Sequence, residues 1–280
     1  MVELFEKNII ETATRSSKGN QLKWRNGDTW YKADYTGYEG LAEYVISHLI
    51  AKSSMNEGEY LLYDLEKISY KSTVYNGVRS RNFLSDDWQL ITLERLFKSV
   101  YGRSLNSMIY KTADKRSRLK LLVDETERVT GIRNFGIYMA KMITIDSFFL
   151  NEDRHTHNIA VLVNGAGQYK TCPYFDQGAG LLSDTTMDYP LGGDIYRLID
   201  SVKPKTFCED FFEQLEIAED LYGYSIRFDF SKKDVDVLLY AVPDDMYSQE
   251  IIERVRTICY ERIRQMEYLF GKNLRVPGGV

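Results

Sequence analysis

The sequence has little cysteine and no pair of cysteines at metal-binding spacing. Its three cysteines, Cys172, Cys208 and Cys259, are an odd number without a Cys-x-x-Cys motif. This pattern argues against a disulfide framework and against a zinc site built on cysteine. A long hydrophobic run is also missing, because the longest apolar stretch, residues 135–150, contains two charged side chains. A membrane-spanning helix needs about 20 apolar residues, so we expect no membrane association.

The chain has no excess of positive charge. It carries 36 Lys+Arg against 41 Asp+Glu in 280 residues, a net charge of −5, and its isoelectric point is about 5.4. We therefore expect no direct binding to nucleic-acid phosphates. The N-terminus lacks the basic start and apolar core of a secretory signal, which favours a cytoplasmic protein. A chain of this length exceeds the usual single-core domain of roughly 100–150 residues, so two lobes around a cleft are expected.

The first third of the sequence is predicted to be β-rich with one helix. Asn26-Gly27 lies between β-prone residues and predicts a hairpin that ends at residues 31–33. Thr36 and Glu39 have the spacing of a capping box and predict an amphipathic helix that ends near residue 53. Further strands are expected at residues 59–68 and 72–78, and helices from residue 92 onward.

The rest of the sequence is predicted to be mainly helical, with one hairpin. Residues 135–149 are mostly apolar and predict a buried helix, which leads directly into the polar segment 151–158. A hairpin is predicted next, and the 3.6-residue period after Ser248 predicts a last helix that stops at Gly271. The two hairpin strands are predicted at residues 159–163 and 169–175. This order of elements indicates an α+β fold of two lobes.

Three polar residues of the second part have the chemistry and the order that phosphoryl transfer requires. Asp153 is followed by Asn158 five residues later, and Asp176 follows the predicted hairpin. In such sites the first carboxylate accepts the proton of a hydroxyl nucleophile, and the amide and second carboxylate hold Mg²⁺. Oxygen ligands suit this cation. Each residue alone is common in loops, but the combination in this context predicts a kinase site.

The first part supplies candidates for binding the phosphates of ATP. Lys32 ends a predicted strand, and Glu43 lies about one turn into the following helix, where it can hold the lysine. We prefer Glu43 to Glu39 as the partner because Glu39 has the capping role. Upstream, residues 14–21 are small and basic and are predicted to form a turn whose hydroxyl and amide groups can bind phosphate.

Two other kinds of active site are disfavoured. His155 and His157 have a spacing that suits zinc, but the only other histidine is His48, on the apolar face of a predicted helix. Hydrolysis by an activated serine is disfavoured because no Gly-x-Ser-x-Gly motif is present.

At these motifs the chain resembles the HipA-like serine/threonine kinases, the bacterial family related to the toxin of the HipBA toxin–antitoxin system. The resemblance covers residues 16 to 178. It rests on SSKGNQLKW at 16–24, WYKAD at 30–34, EGLAEY at 39–44, NEDRH at 151–155 with Asn158, and FDQG at 175–178. The Asp-Arg-His order is specific, because ordinary protein kinases have His-Arg-Asp there.

The resemblance implies a two-lobed protein-kinase-like fold and a role for each candidate residue. Asp153 would be the catalytic base, Asn158 and Asp176 the Mg²⁺ ligands, and Lys32 the lysine that contacts the phosphates of ATP. The phosphate loop would be formed by Ser16, Ser17, Lys18, Gly19 and Asn20, and either serine is a candidate for autophosphorylation. We expect the N-lobe at residues 1–84 and the helical C-lobe at residues 85–280. Gln177 stands where other kinases have the Phe of Asp-Phe-Gly.

The resemblance also bears on partners. Toxins of the family usually carry an additional N-terminal subdomain of about a hundred residues, for which we expect no room before residue 14; an antitoxin-like partner is therefore only a weak expectation. The main prediction is an ATP- and Mg²⁺-dependent kinase acting on a protein hydroxyl. Two alternatives stay open: a lipid or small-molecule kinase, since phosphoinositide kinases share the Asp-Arg-His order, and an ATP-binding pseudokinase.

Overall fold

The computed structural model describes residues 1–9, 21–85, 87–205 and 207–271. Their strands are β1 (Val2–Glu3), β2 (Lys23–Asn26), β3 (Thr29–Ala33), β4 (Tyr63–Tyr70), β5 (Thr73–Arg81), β6 (Trp88–Thr92), β7 (Ala160–Asn164) and β8 (Tyr169–Thr171). Their α-helices are α1 (Glu39–Ile50), α2 (Leu93–Tyr101), α3 (Leu105–Lys111), α4 (Lys115–Thr130), α5 (Phe135–Phe149), α6 (Ile195–Ser201), α7 (Phe211–Tyr222), α8 (Lys232–Tyr240) and α9 (Gln249–Gln265). Short 3₁₀ helices lie at Glu6–Asn8 and Glu267–Phe270.

The strands form two sheets. The first has the order β1-β4-β5-β3-β2, with β1 parallel to β4 and the other pairs antiparallel. The second is the antiparallel sheet β6-β7-β8. In the first sheet Lys32 is paired with Lys23 on one side and with Val78 on the other. The pairing thus fixes Lys32 in the interior of a sheet.

Helix α1 packs directly on the first sheet, because two glycines allow the backbones to approach. A Cβ added at Gly40 would lie 2.9 Å from the Cα of Gly77 on β5. A Cβ at Gly77 would lie 2.1 Å from the carbonyl oxygen of Lys32. Real side chains do not tolerate such distances from backbone atoms, so both positions require glycine.

The main hydrophobic core extends from α1 through the helical part of the chain. Helix α5 lies at its centre, with most of its side chains buried, and it packs against α4, α7 and α9. Phe148 and Phe149 are fully buried within a cluster of aromatic rings that includes Phe228. In the described ranges no helix combines the length and the apolar character needed to cross a lipid bilayer.

The predicted bounds differ from the observed ones at several element ends. Helix α1 begins at Glu39 and ends at Ile50, three residues before the predicted end. The capping box predicted at Thr36 is wrong, because the N-cap residue of α1 is Tyr38. The Thr36 hydroxyl instead donates to the Glu39 carboxylate at 2.7 Å. Glu39 also accepts the Thr36 backbone N–H at 2.7 Å, so its carboxylate still serves the start of the helix.

Two strand predictions and the last helix are also shifted. Strand β4 begins four residues later than predicted, and β5 extends three residues further, to Arg81. Strand β8 ends at Thr171, because Pro173 and the following residues leave the sheet. Helix α9 ends at Gln265, and a 3₁₀ turn covers the rest of the predicted helix up to Gly271.

Candidate active site

A buried polar loop follows α5 and carries Asp153 and Asn158. The helix ends where Leu150 adopts a left-handed conformation, with φ of 56°. Asn158 donates from its side-chain amide to the backbone carbonyl of Asp153 at 2.9 Å. This hydrogen bond closes the loop on itself and fixes the separation of the two residues.

Arg154 connects this loop to the segment before Asp176. Its guanidinium donates to both carboxylate oxygens of Asp146 on α5, at 2.9 and 3.1 Å. It also donates to the carbonyls of Asn158 and Phe175, each at 3.0 Å. Burial alone would lower the pKa of Arg154, but Asp146 outweighs burial and raises it, so the guanidinium stays charged. One buried cation therefore positions both loops.

Asp176 faces two lysines of the first sheet. Its backbone is left-handed, with φ of 62°, a conformation that aspartate tolerates better than most residues. Its carboxylate lies 3.0 Å from Lys32 Nζ and 3.9 Å from Lys23 Nζ. Burial opposes ionisation, but Lys23 and Lys32 outweigh it and hold the pKa of Asp176 well below its usual range. Asp176 is therefore a carboxylate at neutral pH.

Glu43 of α1 holds Lys32 from the other side. Glu43 Oε1 lies 2.5 Å from Lys32 Nζ, and the lysine also lies over the ring of Tyr63. Burial would lower the pKa of Lys32, but Asp176 and Glu43 reverse this and raise it well above its usual value. Of the two glutamates of α1 considered as partners, Glu43 is thus the one that contacts Lys32. Glu39 binds the turn before α1.

Asp153, Asn158 and Asp176 meet in one cleft. Its walls are formed by Gln21, Lys23, Tyr35, Thr36, Glu39, Asp153, Asn158, Asp176, Gly178, Ala179, Ser183 and Asp184. The three residues predicted for phosphoryl transfer therefore face the same space, although Asp176 lies 23 positions after Asp153 in the sequence. The predicted phosphate-loop residues Ser16, Ser17, Lys18, Gly19 and Asn20 lie outside the described residues.

The donor atoms in the cleft fit Mg²⁺. Asn158 and Asp176 offer an amide oxygen and a carboxylate, which are the ligand types that this hard cation prefers. Within the described ranges, no three His, Cys, Asp or Glu side chains form a cluster that could hold an ion by themselves. A site with few protein ligands is suited to an ion that completes its coordination with water and substrate phosphates.

Asp153 has two basic neighbours. Lys205 Nζ lies 3.4 Å from its Oδ1, and His155 Nε2 lies 3.7 Å from its Oδ2. Burial lowers the pKa of His155, so the imidazole is mostly neutral near pH 7 and Lys205 is the cation beside Asp153. Sequence reasoning missed Lys205, which lies 52 residues from Asp153 in a loop without a recognisable motif.

Comparison with solved structures establishes the fold. The structure of the proinflammatory kinase CtkA of Helicobacter pylori matches with a TM-score of 0.61 and 16% sequence identity, over 89% of this chain and 92% of that one. The two-lobed α+β kinase-like fold predicted from the sequence is confirmed by this match. HipA of Shewanella oneidensis, solved with HipB and its operator DNA, is also a structural neighbour. Its TM-score is 0.41 at 11% identity, over 91% of this chain and 66% of that one.

Comparison of the sequence with known proteins gives no further assignment. No protein-family model matches the chain, and no curated protein matches it.

Proposed function

We propose that this protein is an ATP- and Mg²⁺-dependent kinase that transfers the γ-phosphate of ATP to a serine or threonine hydroxyl of a protein. The observation that carries the proposal is the arrangement of Asp153, Asn158 and Asp176 around one cleft, with Lys32 hydrogen-bonded to Asp176. A kinase needs a base, a metal site and a phosphate-binding lysine in one place. The kinase fold shared with CtkA supports the same conclusion.

Each residue has a defined part in the proposed reaction. As the acceptor oxygen bonds to the γ-phosphorus, Asp153 takes the hydroxyl proton. The bond from the γ-phosphorus to the bridging oxygen of the β-phosphate breaks, and ADP leaves. Lys32 and Lys23 would offset the negative charge of the phosphates from the side of the sheet. Asn158 and Asp176 would hold Mg²⁺, which when bound supplies further positive charge to the phosphate oxygens.

Several finer predictions belong to the same proposal. Residues 16–20 would bind phosphate, and Ser16 or Ser17 would be autophosphorylated. The lobe boundary near residue 84 falls between β5 and β6. A cytoplasmic location fits a protein that uses ATP. An antitoxin-like partner stays the weak expectation that the family resemblance implies.

The decisive experiment compares the wild type with Asp153→Asn. Purified protein is incubated with γ-labelled ATP and Mg²⁺, with generic protein substrates and with phosphoinositide vesicles, and labelled residues are identified by mass spectrometry. We expect label on serine or threonine in the wild type and none above background in Asp153→Asn. ATP should still raise the thermal unfolding temperature of the variant, because Asp153 is not a phosphate-binding residue.

The matched control is Asp124→Asn, an exposed carboxylate on α4 that should leave transfer unchanged. Equal transfer by the wild type and Asp153→Asn would overturn the assignment of the base. Label confined to lipid would favour the lipid kinase, and stabilisation by ATP without transfer would favour the pseudokinase.

A further inference from the structure

A second cavity lies next to the cleft that is lined by Asp153, Asn158 and Asp176. Its volume is about 1000 Å³. It is lined by Tyr110, Lys115, Arg118, Glu152, Asp188, Tyr189, Ser201, Lys203, Pro204, Lys205, Phe207, Cys208 and Glu209. This size is at the upper end of ordinary ligand pockets and could hold several residues of an extended peptide.

The cavity adjoins the candidate active site through consecutive residues. Asp153 lines the nucleotide cleft, whereas its neighbour Glu152 lines the second cavity. Lys205 joins them, because its Nζ lies 3.4 Å from Asp153 Oδ1 and 3.8 Å from Glu152 Oε1. A molecule in the cavity can therefore present a hydroxyl to Asp153 while the cleft holds the nucleotide.

The basic residues of the cavity are more available to a ligand than its innermost carboxylate. Lys203 and Lys205 are 65% and 43% exposed, and Arg118 donates to the backbone carbonyls of Thr112 and Phe207. Glu152 is buried and accepts a hydrogen bond from the Tyr189 hydroxyl at 2.5 Å. Lys203 and Lys205 therefore face the open space, and the Glu152 carboxylate is turned into the wall. Two further carboxylates of the lining, Asp188 and Glu209, are exposed, and Glu209 Oε2 lies 3.7 Å from Lys203 Nζ. An exposed ion pair of this kind is weak, so an acidic ligand can compete for Lys203.

The walls also offer surface for a peptide backbone and its side chains. Tyr110, Pro204 and Phe207 are apolar or aromatic. The Tyr110 hydroxyl donates to the backbone carbonyl of Lys205 at 2.5 Å, which attaches the loop carrying both lysines to α3. The lysines are therefore held at the cavity rather than projecting from an unattached loop.

We propose that this cavity is the acceptor site, and that it binds a peptide segment carrying acidic side chains next to the hydroxyl that is phosphorylated. Lys203, Lys205 and Arg118 bind the acidic groups. When the acceptor peptide binds, one of its acidic side chains competes with Asp153 for Lys205. The Asp153 carboxylate then turns toward the hydroxyl of the peptide. The inference rests on the proposed kinase function, because it assigns the acceptor to the base Asp153.

Binding is measured first, since it does not depend on transfer. Fluorescently labelled serine peptides flanked by glutamates or by lysines are titrated into the full chain with a non-hydrolysable ATP analogue and Mg²⁺, and anisotropy is recorded. We expect the glutamate peptide to bind at least about tenfold more tightly, and its affinity to fall about tenfold in Lys203→Glu. The preference should shrink at high salt, because these charges are partly exposed.

Lys71→Glu is the matched control. Lys71 is an exposed lysine in the turn between β4 and β5, outside the cavity walls, and reversing its charge should leave the affinity for the peptide unchanged.

Lys205→Gln should weaken peptide binding and also shift the pH profile of phosphate transfer. Loss of a merely structural contact would lower stability without that shift. Thermal unfolding of each variant separates the two cases.

The outcomes distinguish this inference from the kinase proposal. Equal affinity for the two peptides, no binding of the glutamate peptide, or no effect of Lys203→Glu would overturn the acceptor site, even if labelled phosphate is transferred to protein. Absence of transfer with any substrate, together with intact preference for the glutamate peptide, would instead overturn the kinase function and leave an acidic-peptide site.

Discussion

The backbone N–H of Gln177 donates to Glu43 Oε2 at 3.1 Å. The other oxygen of the same carboxylate binds Lys32, so a single side chain of α1 holds both Lys32 and the segment that follows Asp176. Gln177 stands where other kinases have phenylalanine, yet here the contact is made by its backbone. The arrangement of the cleft therefore depends on the charge and position of Glu43.

Glu43→Gln should lower the rate of phosphate transfer more strongly than it lowers the free energy of unfolding. The amide can still accept from Gln177, but the buried ammonium of Lys32 loses one of its two charged partners and keeps only Asp176. A hydrogen bond between charged groups contributes about 1.5–3 kcal/mol, so kcat/KM for ATP should fall about tenfold to a hundredfold. Glu39→Gln is the control, because Glu39 binds the turn before α1 and not Lys32. An equal loss of kcat/KM in the two variants would contradict the role given to Glu43.

Gly77→Ala should displace Lys32. The added methyl group would lie 2.1 Å from the carbonyl oxygen of Lys32, so β3 and β5 must separate. Overpacking of this kind costs about 1–3 kcal/mol, and ATP-dependent thermal stabilisation should decrease as the lysine moves. Gly165→Ala is the matched control, because a Cβ there meets nothing within 4 Å. Urea unfolding and ATP thermal shifts of both variants provide the measurement, and two indistinguishable variants would refute the expectation.

Arg154→Met should strongly destabilise the protein. The substitution leaves Asp146, which is 1% exposed, as a buried carboxylate without its charged partner. Removing one member of a buried ion pair costs about 3–5 kcal/mol. The double variant Asp146→Leu/Arg154→Met should recover part of this loss, while Arg197→Met, at an exposed arginine, should change little. Denaturant unfolding tests all three, and a stable Arg154→Met protein would disprove the anchoring role.

Asp34 should make the stability of the protein depend on pH. Burial raises its pKa to about 7, although Gly40 N–H and the Tyr247 hydroxyl donate to its two oxygens. The folded state then holds the Asp34 proton more tightly than the unfolded chain does. The free energy of unfolding should therefore fall as pH rises from about 4 to about 7, by up to about 1.4 kcal/mol per pH unit.

Asp34→Asn should remove this contribution. Since burial also raises the pKa of Glu219 to about 7, the relevant quantity is the difference between wild type and variant in urea unfolding at each pH. That difference should change with pH, and a constant difference across the range would show that Asp34 does not titrate in this way.

The sequence predicted those parts of the fold in which local pattern and packing agree. Helix α5 is apolar on all sides because it lies in the centre of the core, and the change to polar residues at 151 marks its end. Helix α9 keeps a 3.6-residue period because one of its faces is buried. The start of α1 could not be placed correctly, because the Glu39 carboxylate accepts from several preceding residues and the spacing alone does not fix which one caps the helix.

The site was predictable to the extent that its residues lie in short motifs. Asp153, Asn158 and Asp176 follow one another within the motifs, so their spacing carries information. Lys205 reaches the site only through folding, from a loop after α6, and a lysine in a loop has no pattern that distinguishes it from a solvated one. Arg154 is part of the motif, but its contact with Asp146 depends on how α5 is placed against the loop.

The close approach of Gly40 to Gly77 also couples the position of α1 to that of β5. Because no side chain separates them at this point, the backbones of α1 and β5 are in direct contact and cannot easily slide past each other. An outward movement of α1 would therefore displace β5 as well. Lys32 lies on β3, which pairs directly with β5, so it would move in the same direction as Glu43. The Lys32–Glu43 pair would stay intact, whereas its hydrogen bonds with Asp176 and with the backbone N–H of Gln177 would have to lengthen. A displacement of α1 would therefore separate Lys32 from Asp176 and would not break the contact between Lys32 and Glu43.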